Sequence, residues 1–307
     1  MRLFLLVLLT ALTAASSLRA QTEAPRRPAP SLRLDVVAIT SAGVPVTDLR
    51  PSEFEVWISG YRVPIADVFA PMPERGRTVV LLLDNAAVGP VLAPRIKEAA
   101  RFFVKRMGPG DRMAVVSLHG AAMARTDDRA RLMQAIDGYH VQGFPFRPED
   151  AGAHVLRTIE SLARQMAETS EGRKTIVAIG AGWMFDTPMP PPSLGDLQRE
   201  WVAAMRSMAA TNTSLYVIDP AGVGIARGVG AYGGASGFAR ETGGHAFLNT
   251  NDTEGAVEQI WAQAGAYYVL AMANPPVQRT ADLREVEVKV LRKGVTARAR
   301  RGIKGRD

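Results

Sequence analysis

The sequence predicts an α/β fold in which a mainly parallel sheet is covered by helices on both faces, while the two chain ends add a small β unit. Three observations lead there. Val79-Val80-Leu81-Leu82-Leu83 is a continuous apolar run, the pattern of a strand buried on both faces in a parallel sheet. Apolar stripes at helical spacing, such as Leu92, Ile96, Ala99, Phe103 and Met107, separate runs of this kind. Both ends of the chain alternate apolar and other residues with a period of two instead.

The elements follow in order. Leu32, Leu34, Val36 and Ala38 alternate as in a strand, Ser41-Ala42-Gly43 reads as a hairpin turn, and Val44 to Val46 returns. Phe54, Val56 and Ile58 alternate again, and Val63, Ile65 and Val68 continue after the turn at Ser59-Gly60-Tyr61. The first buried strand and its helix follow, the helix stopped by Gly108-Pro109-Gly110-Asp111. Met113 to Leu118 is the next strand, and Asp128 precedes a short helix carrying Leu132 and Ile136. Val155, Ile159, Leu162 and Met166 stripe a longer helix, and Gly172-Arg173-Lys174 leads into the strand Thr175 to Ile179. A long loop from Gly180 to Gly195 comes before the stripe of Leu197, Trp201, Ala204 and Met208, and loops of that length are often functional. Leu215 to Ile218 is a strand. The glycine-rich stretch Gly222 to Gly237 leads to a short helix near Phe238, and Ala246-Phe247-Leu248 is a short strand. Val257, Ile260 and Trp261 mark the last helix. Strands separated by helices imply parallel βαβ units in a Rossmann-like three-layer arrangement. The closing strands are Tyr267 to Ala271, Val286 to Leu291 and Val295 to Arg300, and they are expected to pack on the first β segment, with the α/β domain inserted between.

The N-terminus reads as an export signal. Arg2 supplies a positive start, Leu3 to Ala15 is almost wholly apolar, and Ser16, Ser17, Leu18 and Arg19 lead to the small residue Ala20. The apolar run is shorter than the about 20 residues needed to span a bilayer, although an uncleaved anchor is the alternative. The expected organisation is a signal peptide (1–20), a proline-rich linker (21–30), an N-terminal β segment (31–72), an α/β domain (76–265), a C-terminal β segment (266–302) and a basic tail (303–307). The location is then periplasmic or secreted, with no transmembrane span after cleavage. The chain has no cysteine, which excludes disulfides, a thiol nucleophile and cysteine-based zinc sites. The formal charge of +7 owes much to Arg292, Lys293, Arg298, Arg300, Arg301, Lys304 and Arg306. That stretch lacks the aromatics of a nucleic-acid surface, so no nucleic-acid partner is expected, and it reads as a solvated strand end and tail.

The order of these elements resembles a von Willebrand factor A-type domain, and more closely the exported bacterial proteins related to it. The fragments carrying the resemblance are Val44 to Val56, Leu81-Leu82-Leu83-Asp84, Gly172-Arg173-Lys174, and Tyr216-Val217-Ile218-Asp219-Pro220. Glu241-Thr242-Gly243-Gly244-His245-Ala246-Phe247, Tyr267-Tyr268-Val269-Leu270, and Arg298-Ala299-Arg300-Arg301-Gly302 complete them. The resemblance implies a metal-ion-dependent adhesion site at the carboxyl edge of the sheet. There Mg²⁺ or a similar cation is held by Asp-x-Ser-x-Ser, a threonine and a later aspartate, and a partner's carboxylate completes the oxygen shell.

This chain departs from that pattern. Asp84 matches the first aspartate, but Ala86 and Val88 stand in place of both serines. Phe144 to Asp150 lacks the threonine, and Gly180-Ala181-Gly182 lacks the later aspartate. Asp84 is therefore the single candidate ligand for Mg²⁺, with Asp186 or Glu149 the only nearby substitutes, and no cofactor is expected. Asp84 and Asn85 also suit turn and cap chemistry, as do Asp219-Pro220, Asp127-Asp128 and Glu149-Asp150. His119 ends a strand near the ligand edge of such a sheet. Trp183, Met184 and Phe185 bring aromatic and methionine side chains to the long loop, a composition suited either to a partner contact or to burial.

Enzyme motifs are missing. No G-x-S-x-G nucleophile elbow, no phosphate-binding G-x-x-x-x-G-K-[ST] loop and no histidine pair at metal-ligand spacing occurs. The expectation is an exported, non-enzymatic protein-binding module of adhesion or scaffold type. It would use the carboxyl edge of the sheet, with Asp84, Asn85, His119, Trp183, Met184, Phe185 and Asp186 as contact candidates. The alternatives are a hydrolase or nucleotide-dependent enzyme on a Rossmann-like sheet, and a structural envelope protein.

Overall fold

The structure is a computed structural model that describes residues 32–72, 76–120, 124–143, 148–168, 172–180, 195–223, 233–273, 275–276 and 285–302. The expected signal, linker and basic tail, and the loop residues Trp183, Met184, Phe185 and Asp186, lie outside these.

The terminal segments hold seven strands. The first part contributes β1 (Leu32–Thr40), β2 (Phe54–Ile58), β3 (Tyr61–Val63) and β4 (Ile65–Phe69). The middle of the chain follows, as β5 (Thr78–Leu83), α1 (Ala93–Arg106), β6 (Arg112–Ser117), α2 (Arg129–Asp137), α3 (Pro148–Gln165) and β7 (Lys174–Ile179). After these come α4 (Gly195–Ala210), β8 (Thr213–Ile218), α5 (Gly233–Glu241), β9 (His245–Phe247) and α6 (Thr253–Gly265). The chain closes with β10 (Tyr268–Met272), β11 (Val286–Val290) and β12 (Val295–Ala299).

The central sheet is parallel, in the order β6-β5-β7-β8-β9. Its apolar runs have two buried sides because successive side chains point to opposite faces. Val80, Leu82, Ile176, Ala178, Leu215 and Val217 pack against α3, α4 and α5 through residues such as Ile159, Trp201 and Phe238. Val79, Leu81, Leu83, Val177, Ile179 and Ile218 pack against α1, α2 and α6 through Phe103, Ile136, Ile260 and others. The expected three-layer α/β architecture is therefore present. Asp128 caps α2 as its sequence position suggests, accepting from the Arg131 amide. Glu149 and Asp150 fall inside α3 rather than before it. The glycine-rich stretch does not simply lead to a helix: α5 starts within it, at Gly233. Gly234 and Gly237 are buried, so their missing side chains let the helix lie close to its neighbours.

The two chain ends do pack together. β1 lies between β10 and β12, pairing antiparallel with both, while β11 pairs with β2. A four-stranded sheet, β12-β1-β10-β4, and a three-stranded sheet, β11-β2-β3, enclose a shared core of Leu34, Val36, Phe54, Val56, Tyr268 and Leu270. The terminal unit is thus a two-layer β structure with a core of its own, and the α/β domain is inserted between its first and second parts. The alternate residues of β1 give the reason that nearly all of them are buried. Leu34 and Val36 enter the β core, whereas Asp35 on the opposite face reaches Asn212 of the α/β domain at 2.7 Å.

The basic C-terminal stretch departs from its expected solvated character. Arg300 is buried, Arg298 donates to Gln263 Oε1 at 2.8 Å, and Arg292 makes ion pairs to Glu53 and Asp48. The reason is that β12 runs beside β1, at the junction with the α/β domain, so alternate arginines turn inward. Tyr268 pins the β unit from inside: the Leu49 amide donates to its hydroxyl at 2.8 Å, and its ring meets Phe54 edge-on. Replacing Tyr268 with Phe leaves that buried amide unpaired and should cost about 1–3 kcal/mol, measured by urea denaturation.

Candidate functional site

In this sheet the chain runs from β5 to β6 on one side and then to β7 on the other. That reversal leaves a crevice at the carboxyl ends of β5 and β7, where open α/β sheets bind ligands. Asp84 follows β5 and Gly180 follows β7, so both sit at this crevice.

Asp84 is committed to its own loop. Its Oδ1 accepts the amides of Ala86 (3.0 Å) and Ala87 (2.8 Å), which closes the turn after β5. Tyr139 donates its hydroxyl to the Asp84 carbonyl at 2.6 Å. Burial, and then the charge of Asp84, push the phenol up, so it remains a donor. Asn85 goes beyond turn chemistry. It is only 1% exposed, and its Oδ1 accepts the His119 amide at 3.0 Å, while its carbonyl accepts the Gln142 and Gly143 amides. One residue thereby ties together the loops after β5, β6 and α2. His119 stands over His154, their ring centroids 4.6 Å apart, and His154 Nε2 is 3.3 Å from the Leu118 carbonyl. Burial, and next the neighbouring His154, hold His119 below its ordinary range, against the opposing pull of Asp84.

These residues do not fit the divalent cation that the resemblance implies. Ala86 and Val88 offer no side-chain oxygen, and Asp84 Oδ1 already accepts two amides. Gly180 has no side chain to offer, and a Cβ built there would lie 2.2 Å from Asp84 Cβ. Any side chain at 180, an aspartate included, is therefore incompatible with Asp84 as placed. Among the described residues no group of three or more His, Asp or Glu could hold a metal ion.

The described part of the crevice is small and apolar, lined by Leu82, Leu118, Val155, Ala178 and Ile179 beside Asp84 and Gly180. Of the sequence candidates, the structure brings together Asp84, Asn85 and His119, while Trp183, Met184, Phe185 and Asp186 lie outside the described residues. Tyr139 and Gly180 were not singled out from the sequence. Gly180 does stand where the resemblance would place an aspartate, and that position was the available signal. The Asp219-Pro220 turn has the expected form, with Asp219 Oδ1 accepting the Ala221 amide at 2.9 Å.

No family profile matches the chain, and no curated protein matches it. Among solved structures it is similar to the D319A mutant of the PilB minor pilin from Streptococcus sanguinis. The TM-score is 0.41 at 11% identity, over 62% of this chain and 62% of that one. It is also similar to the human COPII-coat protein Sec24c, with a TM-score of 0.36 at 9% identity over 75% of this chain and 44% of that one. The chain spans less than two thirds of the length of either. The α/β architecture itself rests on the strand order given above. Among the described residues no helix is long and apolar enough to cross a membrane.

Two outcomes test this geometry. Gly180→Ala should destabilise the protein by about 1–3 kcal/mol through overpacking. The loss should shrink in an Asp84→Gly background, where the clashing Cβ is gone, as a double-mutant cycle of urea midpoints would show. The second concerns pH. Because His119 binds its proton less readily when folded, its contribution is present above the ordinary histidine value near 6.5 and is lost as pH falls below it. Stability should drop between pH 7 and pH 5, and His119→Gln should flatten that part of the profile.

Proposed function

We propose that this chain is an exported, non-enzymatic protein-binding module of adhesion or scaffold type, which engages a protein partner through the carboxyl-edge loops without a bound cation. The observation that carries the reading is the exposed apolar surface of that edge. Val91, after β5, is 82% exposed, and Val223, after β8, is 57% exposed. Arg95, in the first turn of α1 just after Val91, ties that helix to the loop after β8, donating from Nη1 to the carbonyls of Pro220 (3.2 Å) and Ala221 (3.0 Å). The apolar side chains therefore stand on braced loops, and a partner pays little ordering entropy there. The connection that carries Trp183, Met184 and Phe185 leaves the same edge after β7, and its composition suits such a contact. The inward commitment of Asp84 and Asn85 supports recognition by loop surface rather than through a metal. Export and a periplasmic or secreted location rest on the N-terminal pattern of Arg2 to Ala20.

The test is site-specific photo-crosslinking in the envelope or secreted fraction of the source cells. A crosslinker at Val91 or Val223 should give a discrete protein adduct, and one at exposed Tyr61 in β3, in the terminal β unit, should not. Trp183→Ala with Phe185→Ala should weaken the adduct without lowering the melting temperature. Adducts confined to Tyr61, or saturable turnover of a hydrolase or nucleotide substrate by the purified protein, would overturn the reading.

A further inference from the structure

At the opposite end of the sheet, where β7 and β8 begin, the terminal β unit meets the α/β domain around a cleft of about 220 Å³. That is on the order of ten times the space that admits one water. Arg33, Asp35, Arg173, Asn212, Ser214 and Arg300 line it. Arg173 and Arg300 are 6% and 5% exposed, yet neither guanidinium is fully used. Arg173 donates from Nη2 to the Gly243 carbonyl (2.7 Å), and Arg300 donates from Nη2 to the carbonyls of Met208 and Thr213 (both 3.0 Å). Arg173 Nε and Arg300 Nη1 have no hydrogen-bond partner among the described residues.

The charges do not balance either. The lining carries three arginines, the buried Arg173 and Arg300 and the exposed Arg33, whose guanidinium also lies 5.7 Å from the Phe69 ring centroid, against one carboxylate, Asp35, whose Oδ2 already accepts from Asn212. A third buried cation, Lys174, stands beside them with its ammonium on the carbonyls of Gly172 and Thr211. Burial, and then the neighbouring Arg173, pull Arg300 down to about 10, which leaves it charged at neutral pH. Burial pushes Asp35 up in spite of the neighbouring Arg173, Arg300 and Lys174. Buried cations are stable when paired, and planar guanidinium forks match oxyanions in geometry as well as charge.

We propose that this cleft is a binding site for a small tetrahedral oxyanion, phosphate or sulfate, held among the guanidinium groups of Arg173, Arg300 and Arg33. The ion would join β1 and β12 of the terminal unit to the start of β7, so its binding would tighten the junction between the two parts of the chain.

The experiment is isothermal titration of the full chain with inorganic phosphate and with sulfate, against chloride and acetate at matched ionic strength, alongside melting temperatures. The expected result is saturable one-site binding of phosphate or sulfate with a rise in melting temperature, and none with chloride or acetate. Arg173→Met or Arg300→Met should abolish binding but can also prevent folding. Arg33→Glu is therefore the deciding variant, since Arg33 is exposed at the mouth. It should fold and bind roughly tenfold more weakly. Equal, non-saturating responses to all four anions, or unchanged affinity in a folded Arg33→Glu, would overturn the proposal and leave the arginines as a structural joint alone.

Discussion

Everything in this molecule hangs on β1, a strand placed between two partners from the far end of the chain. Its backbone pairs with β10 on one side and β12 on the other, so the terminal unit needs both ends of the chain brought together across the α/β domain between them. One face of β1 supplies Leu34 and Val36 to the terminal core, and the other presents Asp35 to Asn212. Backbone contacts extend the junction, with the Arg301 amide donating to the Glu241 carbonyl and Thr242 bridging to Arg300. The long-range pairing places the two parts side by side, and the same junction buries Arg173, Lys174 and Arg300.

The fold was largely legible because burial leaves strong patterns. The run Val79 to Leu83 announces a two-sided strand, and the stripe from Ile96 to Phe103 a covering helix. The insertion of one unit into another was legible from the change of period at both ends. What escaped was the fate of polar residues inside those patterns. Arg298 and Arg300 look like a basic tail until β12 is placed beside β1. Asp35 and Arg33 were simply the two charged positions of an apolar strand. A period-two pattern shows which residues share a face, but not what that face meets across a long-range pairing.

At the carboxyl edge the resemblance directed attention to Asp84 and Gly180, and the structure shows how the two fit together. Loss of a side chain at 180 gives Asp84 room to turn onto the Ala86 and Ala87 amides, and Asn85 then locks the adjoining loops. The crevice is braced by hydrogen bonds that a cation site would need for itself. The exposed apolar groups stand on the surrounding loops, at Val91 and Val223. Among the described residues the two ends of the sheet thus differ in chemistry: the crevice at the carboxyl edge is lined mostly by apolar side chains, and the amino end is cationic with guanidinium nitrogens left over.

The central claim is that the carboxyl edge works without a metal ion. Calorimetric titration of the purified protein with Mg²⁺ and Mn²⁺, with Asp84→Ala as control, tests it most directly. No saturable binding is expected at millimolar ion, and the same flat response is expected in the variant. A saturable isotherm that Asp84→Ala abolishes would contradict it.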